Sequence, residues 1–158
     1  MQDILPTYFA PDELDRLRKM EGMKLVRVTY TVWRNVAKKD DVYEALDWIE
    51  LYMDKAKLSL GVNESQTGLV VKDFNFALEQ TRIIQQFRGQ VEIEQVDMSE
   101  SSVWKHLIGQ EVLSMGLMSP YRDLYQNHVI QLLFSADTIE ITLGEEGLIA
   151  YILPSNPS

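Results

Sequence analysis

Two stretches of this chain repeat each other at a fixed spacing, and this repeat constrains the fold more than any other feature of the sequence. Residues 48–60 match residues 129–141 without a gap at an offset of 81, and residues 68–71 match residues 147–150 at an offset of 79. Similarity at a fixed spacing indicates a repeated structural unit. We therefore expect the 158 residues to form a single domain that contains two copies of one unit.

A third match lies upstream and has an offset of 87. It aligns Leu17, Met20, Gly22, Leu25 and Val28 with Trp104, Leu107, Gly109, Val112 and Met115. The offset changes only where turns or loops are expected, which favours a true duplication. The predicted boundaries are about 11–72 for the first unit, about 73–89 for a connecting helix and about 90–153 for the second unit, and we expect residues 154–158 to form a flexible tail.

Each unit is predicted to contain a short helix, a glycine, a strand, a long loop, a hairpin and a short strand. In the first unit, Pro11 suits the start of the helix and Gly22 its end. Strands follow at 23–33, 47–54, 57–62 and 68–71, with a long loop at 35–47. The second unit is predicted to have a strand at 91–97, a helix at 99–109 capped by Ser99 or Ser101, a strand at 110–118, a loop at 119–127 and a hairpin that turns at residues 136–137.

The predicted fold class is α+β, mainly antiparallel β, with two duplicated four-stranded units in a sandwich or barrel-like arrangement. A lone four-stranded sheet with one apolar face is marginally stable, so we expect the two units either to bury their apolar faces against each other or to continue into one curved sheet. Because alternate strand residues face opposite ways, we expect one side of each hairpin to be buried. Those residues are Ile49, Leu51, Met53, Leu58, Leu60, Ile130, Leu132, Phe134, Ile139 and Ile141.

The formal charge of −9 is distributed unevenly along the chain. Residues 1–39 carry eight basic and five acidic side chains, residues 40–89 carry five and nine, and residues 90–158 carry two and ten. An acidic second half repels phosphate backbones, so we expect no nucleic-acid binding. Solubility is one explanation for such a charge, and an acidic face that meets a basic protein partner is the other.

The sequence contains no pattern that indicates a particular chemistry. His106 and His128 are the side chains that titrate near neutrality when unperturbed, and neither has a partner at metal-ligand spacing. The carboxylates follow no calcium-loop spacing, the glycines follow no phosphate-binding pattern, and the absence of cysteine excludes thiol chemistry. We therefore assign no catalytic, cofactor-binding or metal-binding residue and expect no cofactor.

Aromatic side chains near the predicted loops give a stronger indication of function, because tyrosine and tryptophan are enriched where proteins bind one another. The same residues could instead cap the ends of the core. Combined with the acidic residues of the second half, they form a candidate interaction surface that consists of Tyr43, Trp48, Glu92, Glu94, Tyr121, Tyr125, Glu145 and Glu146.

These observations favour a non-enzymatic protein-binding or regulatory module, for example of the immunity type that neutralises a toxin. No apolar run approaches the roughly 20 residues that span a bilayer, and the N-terminus does not resemble a signal peptide, so we expect a cytoplasmic protein with no membrane partner. The first alternative is a small-molecule-binding barrel or sandwich with a pocket between the units. A weaker alternative is an enzyme that uses acidic residues and a histidine.

Overall fold

A computed structural model describes residues 7–35, 44–121, 124–145 and 147–154. Its elements are α1 (Pro11–Lys19), β1 (Leu25–Asn35), β2 (Glu44–Met53), β3 (Lys57–Val62), β4 (Leu69–Val71), α2 (Phe76–Phe87), β5 (Val91–Asp97), β6 (Ser114–Tyr121), β7 (Leu124–Leu133), β8 (Thr138–Gly144) and β9 (Gly147–Ile152). The predicted class, α+β with mainly antiparallel strands, is confirmed. Residues 155–158 of the predicted tail lie outside the described residues.

The first sheet has five antiparallel strands in the order β4-β3-β2-β1-β5. Strands β1 to β4 form a meander, in which each strand pairs with the next along the chain. After α2, β5 pairs with the other side of β1, with Thr29 opposite Asp97 and Asn35 opposite Val91. The segment at 91–97 therefore belongs to the first sheet, whereas the boundaries drawn from the sequence place it in the second unit.

The second sheet has four antiparallel strands in the order β6-β7-β8-β9. The predicted loop at 119–127 is wrong, because β6 continues to Tyr121 and β7 already begins at Leu124. Pro120 lies in β6, and an edge strand tolerates proline because one side of its backbone needs no strand partner. Likewise β2 begins at Glu44, inside the loop predicted at 35–47, whose residues 36–43 lie outside the described part.

The helix predicted at 99–109 is replaced by a series of turns. Several backbone N–H groups bond three residues back, as from Leu107 to Trp104 at 2.9 Å, and Lys105 bonds four residues back, to Ser101 at 2.8 Å. Ser99 is not a helix cap, since its Oγ accepts a hydrogen bond from the backbone N–H of Val28 at 3.0 Å. Nucleating a short helix is costly, and the turns already place Trp104 and Leu107 in the core with no exposed surface.

The two hairpins, β2–β3 and β7–β8, have the same register. Every residue pair between β2 and β3, from Trp48 opposite Gly61 to Tyr52 opposite Lys57, recurs between β7 and β8 at the offset of 81. Equivalent backbone hydrogen bonds close the two turns, at 2.8 Å in the first and 3.0 Å in the second. The pairings with β4 and β9 and those with β1 and β6 also recur, at the offsets of 79 and 87 found in the sequence.

Two short segments, residues 22–25 and 109–112, join the halves of the molecule and are named here the glycine clasp. Its two glycines both have positive φ, +88° and +89°. Four reciprocal backbone hydrogen bonds run from Gly22 to Val112 (2.8 Å), from Gly109 to Leu25 (2.7 Å), from Leu25 to Gln110 (3.0 Å) and from Val112 to Met23 (2.9 Å). Exchanging the two segments at an offset of 87 reproduces the same four bonds, so the clasp has an approximate two-fold axis.

The two sheets pack face to face in a sandwich-like arrangement, and one apolar core fills the space between them. All ten hairpin residues that the sequence predicts to be buried are at most 7% exposed, which confirms the predicted inner face of each sheet. A second, smaller cluster lies on the other side of the first sheet, where Ile83 of α2 packs against Val91 and Ile93 of β5. The outer face of the first sheet is therefore covered by α2 at its β5 edge.

Candidate functional site

Two of the predicted acidic contact residues, Glu92 and Glu94, lie on the edge strand β5. Their neighbours Val91 and Ile93 are buried beneath α2, so strand alternation turns both glutamates toward the opposite face. Both are exposed, and Glu94 forms an ion pair with Arg34 of β1. The sequence alternation is sufficient to predict their exposure, whereas the pairing with Arg34 depends on how β5 docks on β1.

A third acidic residue, Glu145, lies exposed in the turn between β8 and β9. This turn packs against β2, because a Cβ at Gly147 would lie 2.6 Å from the carbonyl oxygen of Leu46. Leu46 pairs with Val32, which in turn pairs with Glu94. Glu94 is thus two strand spacings, about 10 Å, from the strand segment that the turn contacts. We name Glu92, Glu94 and Glu145 the acidic end of the molecule.

Trp48 is not available to a partner, which corrects its assignment to the contact surface. It is 6% exposed and stacks on Phe74, with ring centroids 4.5 Å apart and planes at 18°. Its ring also lies over Gly61, where a Cβ would be 2.7 Å from the ring atoms. The tryptophan therefore fixes the segment between β4 and α2 to the first sheet.

Tyr125 is half-buried at the start of β7 and holds the N-terminal region in place. Its hydroxyl accepts a hydrogen bond from Arg18 at 3.4 Å, and the guanidinium carbon of Arg18 lies 5.6 Å from the ring centroid. Tyr43 and Glu146 lie outside the described residues, as does the side chain of Tyr121, whose backbone ends β6. The three described acidic members of the predicted surface are thus exposed, whereas Trp48 and Tyr125 pack against other parts of the protein.

A buried carboxylate on the outer face of the first sheet was missed by the sequence analysis. Glu50 is 2% exposed and accepts hydrogen bonds from Lys57 Nζ at 2.9 Å, from Gln95 Nε2 at 3.1 Å and from the Tyr52 hydroxyl at 3.4 Å. The hydrogen bond to Glu50 raises the pKa of Lys57. Alternation predicts that Glu50 faces away from the core, but only the strand register shows that its donors surround it.

The tyrosine of this network is also enclosed by cations. The guanidinium carbon of Arg27 lies 4.0 Å from the centroid of the Tyr52 ring, and Lys57 Nζ lies 5.5 Å from it. A cation over an aromatic face is stabilised by the ring quadrupole. Because the carboxylate of Glu50 and both cations already have partners in the protein, this arrangement is best explained as a structural network of the sheet.

Asp47 occupies a β-bulge in β2, since Thr31 pairs with Trp48 while Val32 pairs with Leu46. Burial, and then the nearby charge of Glu79, raise the pKa of its carboxyl group to about 6, while Arg82 opposes the shift. Glu79 and Arg82 belong to α2 and form an ion pair with each other. A carboxyl group that titrates near pH 6 has the property required of a general acid or base. The sequence gives no sign of it, because the bulge appears only in the strand register.

The described residues give the pocket and enzyme alternatives little geometric support. His106 and His128 are both exposed, and within the described ranges no group of three or more His, Asp or Glu side chains is placed to hold a metal ion. A depression of about 300 Å³ lies at the turn between β7 and β8, and Phe134 is the one aromatic residue in its lining. It lies at one end of the second sheet, whereas the alternative predicts a pocket between the two units.

The outer face of the second sheet, the side turned away from the core, is formed by alternate residues of β6 to β9. One row across it consists of Gly116, Gln131, Glu140 and Tyr151, which are opposite one another in register. Gln131 Nε2 donates a hydrogen bond to Glu140 Oε1 at 3.1 Å. On the same face of β9, Ile149 is 47% exposed and Tyr151 is 37% exposed. No described helix packs on this face.

Comparisons with models of known protein families, with characterised proteins and with solved structures found no match to this chain. The helices among the described residues are too short or too polar to cross a bilayer.

Proposed function

We propose that this chain is a non-enzymatic, cytoplasmic protein-binding module of the regulatory or immunity type. It would use a duplicated scaffold and recognise a basic protein through its acidic end. The observation that carries the proposal is the exposure of Glu92, Glu94 and Glu145 at the end where the turn between β8 and β9 meets β2. Exposed carboxylates can attract a partner even though Glu94 also pairs with Arg34, whereas Glu50 is buried and paired with Lys57.

The charge distribution supports this choice of partner. Residues 90–158 contain ten acidic and two basic side chains, so the acidic end adds to a field of one sign. Such a field accelerates the encounter with a basic protein and is weakened by salt. The ion pair between Arg34 and Glu94 is exposed, and exposed pairs contribute little stability. Opening it for a partner would therefore cost little.

The test is affinity capture of cellular partners by the whole chain at low and at moderate ionic strength. We expect a basic protein to be retained at low salt and released at moderate salt. The variant with Glu92→Lys, Glu94→Lys and Glu145→Lys should lose it. A control variant with the same charge change, Asp12→Lys, Asp15→Lys and Asp54→Lys, carries its substitutions on α1 and at the turn between β2 and β3, and it should retain the partner.

Two results would contradict the proposal. The first is that no protein is retained while a small molecule or a metal ion copurifies with the chain, which would favour the pocket alternative. The second is that both triple variants lose the partner equally, because net charge alone would then explain the capture.

A further inference from the structure

The first sheet ends at β5 in a long and regular edge strand. All seven residues of β5 pair with β1 without a register shift, and none of them is proline or glycine. The outer side of an edge strand presents unpaired backbone N–H and C=O groups, to which another chain can add a strand. The backbone hydrogen bonds of the described residues leave this side of β5 unpaired.

One hydrogen bond shows which residues of β5 present their backbone groups at this edge. The N–H of Met98 bonds to the carbonyl oxygen of Val28 at 2.8 Å, and these two residues continue the register between β5 and β1. In an antiparallel pair, residues that bond to the partner strand alternate with residues whose N–H and C=O groups point away from it. Counted from Met98, the residues that point away from β1 are Val91, Ile93, Gln95 and Asp97.

The other three sheet edges are less suited to a basic partner. β4 is three residues long, and the N–H of Val71 already bonds to Oε2 of Glu13 at 2.8 Å. β6 contains Pro120 and has two register shifts against β7. β9 contains no charged residue. Regular pairing and acidic charge therefore coincide at the edge formed by β5.

The glutamates of β5 determine which kind of strand can be added. Glu92 and Glu94 are exposed on the side opposite α2 and are two residues apart, so they lie beside alternate residues of an added strand. Two β5 strands from two copies of this chain would bring their glutamates together on one face, and like charges destabilise such a pairing. Lysine or arginine at the same positions would be attracted. The exposed ion pair between Arg34 and Glu94 contributes little stability and does not prevent this contact.

Helix α2 presents an exposed apolar side chain on the same edge. Glu79 and Arg82 lie close enough to Asp47 of β2 to shift its pKa, so their flank of the helix faces the middle of the sheet. Ile83 packs on β5. Because successive helical residues are about 100° apart, Ile84 lies on the other side of Ile83 from Arg82, which is the flank toward the free edge. Ile84 is 49% exposed.

We propose that β5 is the docking site for an extended segment of the basic partner, which adds an antiparallel strand to the first sheet. The residues of this segment alternate, with lysine or arginine beside Glu92 and Glu94 and with apolar side chains beside Ile84. This inference rests on the proposed function and specifies how the partner binds the acidic end. In such strand addition, the backbone hydrogen bonds provide affinity and the alternate side chains provide specificity.

The test is titration of the isotope-labelled whole chain with a synthetic peptide of alternating valine and lysine that has the seven-residue length of β5. In the free protein, the amide hydrogens of Ile93 and Gln95 should exchange rapidly with solvent. Saturating peptide should slow their exchange by about tenfold or more, because each amide gains a hydrogen bond.

Two N-methylated peptides of the same length and charge separate strand addition from simple attraction. Methylation at the valines should weaken the affinity by about tenfold or more, because the N–H groups of these residues face β5 in the antiparallel pairing. Methylation at the lysines should leave the affinity unchanged, because those N–H groups point away from β5.

Two uncharged substitutions on α2 test the contact with Ile84. Ile84→Gln should weaken the affinity for the unmethylated peptide by about fivefold, because it removes apolar surface from the contact. Leu78→Gln is the matched control and should leave the affinity unchanged. Leu78 is 70% exposed and lies on a different face of α2 from Ile84.

Several outcomes would overturn the docking site. Equal binding of both methylated peptides, with shift changes at Glu92, Glu94 and Glu145, would reject strand addition while leaving the proposed function in place. Loss of binding on methylation of the lysines alone would reject the antiparallel pairing. Slow exchange of Ile93 and Gln95 in a self-associated, unliganded chain would show that a second copy occupies the edge. No shift change at millimolar peptide would also reject the inference. The capture experiment with the lysine variants tests the proposed function separately.

Discussion

The two sheets of this molecule share an inner face and differ in their outer faces. On the inner side, Leu51 and Leu132 hold equivalent positions and are 0% and 1% exposed. On the outer side, Glu50 is buried in a network of hydrogen bonds, whereas its counterpart Gln131 lies half-buried on an uncovered face. Packing against the opposite sheet therefore keeps equivalent inner residues apolar and buried in both copies. The outer residues lack this constraint and differ between the copies.

The difference arises from one insertion. In the first sheet, α2 and β5 follow β4, and α2 returns the chain across the outer face to the edge of β1. Among the described residues, α2 therefore packs on the outer side of the first sheet at β5, and no described helix packs on the outer side of the second.

The largest expected effect tests the shared inner face. Leu51→Ala and Leu132→Ala should each lower the free energy of unfolding by about 2–5 kcal/mol, because each removes buried methyl groups and leaves a cavity. Urea unfolding of the two variants gives the comparison directly. A loss below about 1 kcal/mol at either site, under the expected range, would show that the two hairpins do not share a core.

The second largest expected effect is a loss of stability with rising pH, which should originate in the first sheet. Burial, then Glu79, holds the pKa of Asp47 near 6, above its ordinary value of 3.8, while Arg82 opposes the shift. A raised pKa means that the protonated form stabilises the fold. This stabilisation is complete below about pH 4 and is lost as the pH rises through 6, at a cost on the order of 1–3 kcal/mol. Asp47→Asn should abolish this loss, as measured by urea unfolding at pH 4.5 and pH 7.5.

The second sheet has His128 at the position equivalent to Asp47, so it offers no carboxyl group with the same behaviour. Asp97→Asn is the control within the first sheet. Hydrogen bonds from Ser99 lower the pKa of Asp97, and its contribution is therefore present above its ordinary pKa and lost as the pH falls. If the free energy of unfolding of Asp47→Asn still falls between pH 4.5 and pH 7.5 as it does in the unsubstituted protein, another group causes the loss of stability.

A third, smaller effect tests the symmetry of the glycine clasp. Gly22 and Gly109 have nearly the same positive φ, a conformation that costs an L-residue about 1–2 kcal/mol. Gly22→Ala and Gly109→Ala should therefore destabilise the protein by similar amounts, measured by thermal or urea unfolding. Strongly unequal losses would show that the two segments of the clasp share a backbone geometry but contribute differently to stability.

The smallest effect is expected on the open outer face. Gln131→Glu places a second carboxylate beside Glu140, where Gln131 now donates a hydrogen bond. Like charges opposite each other on neighbouring strands cost about 0.2–1 kcal/mol, and the loss should shrink in high salt. The matched exchange in the first sheet is Glu50→Gln, which should cost more because Glu50 is buried and bonded to Lys57. A salt-independent loss in Gln131→Glu would contradict this explanation.

The sequence predicted the hairpins and the inner faces well, because both depend on local alternation and on the repeat itself. It failed for β6 and β7, where the predicted loop at 119–127 contains the end of an edge strand and the start of its partner. It also failed for Trp48, whose burial depends on Phe74 from a segment that crosses the sheet. Local patterns do not contain such contacts between distant segments.

The residues of the candidate site divide in the same way. Some have an exposure that the local sequence predicts, and others have surroundings that depend on distant segments. Exposure of Glu92 and Glu94 follows from strand alternation, and exposure of Glu145 follows from its place in a turn. The environment of Asp47 cannot be predicted from the local sequence. The bulge takes Asp47 out of the strand register, and the charged residues near it belong to α2, a distant segment of the chain. The open face of the second sheet is recognisable only after the topology shows that no described element covers it.

The glycine clasp has one further consequence, which concerns assembly. A surface related to itself by a two-fold axis is isologous, so a single sequence contains both halves of the contact. Each clasp segment presents the N–H and C=O groups that its counterpart needs. A polypeptide that contained one unit could therefore form the same contact with an identical polypeptide, as a homodimer. Covalent linkage in one chain replaces this bimolecular association with an intramolecular one, which makes the pairing independent of protein concentration.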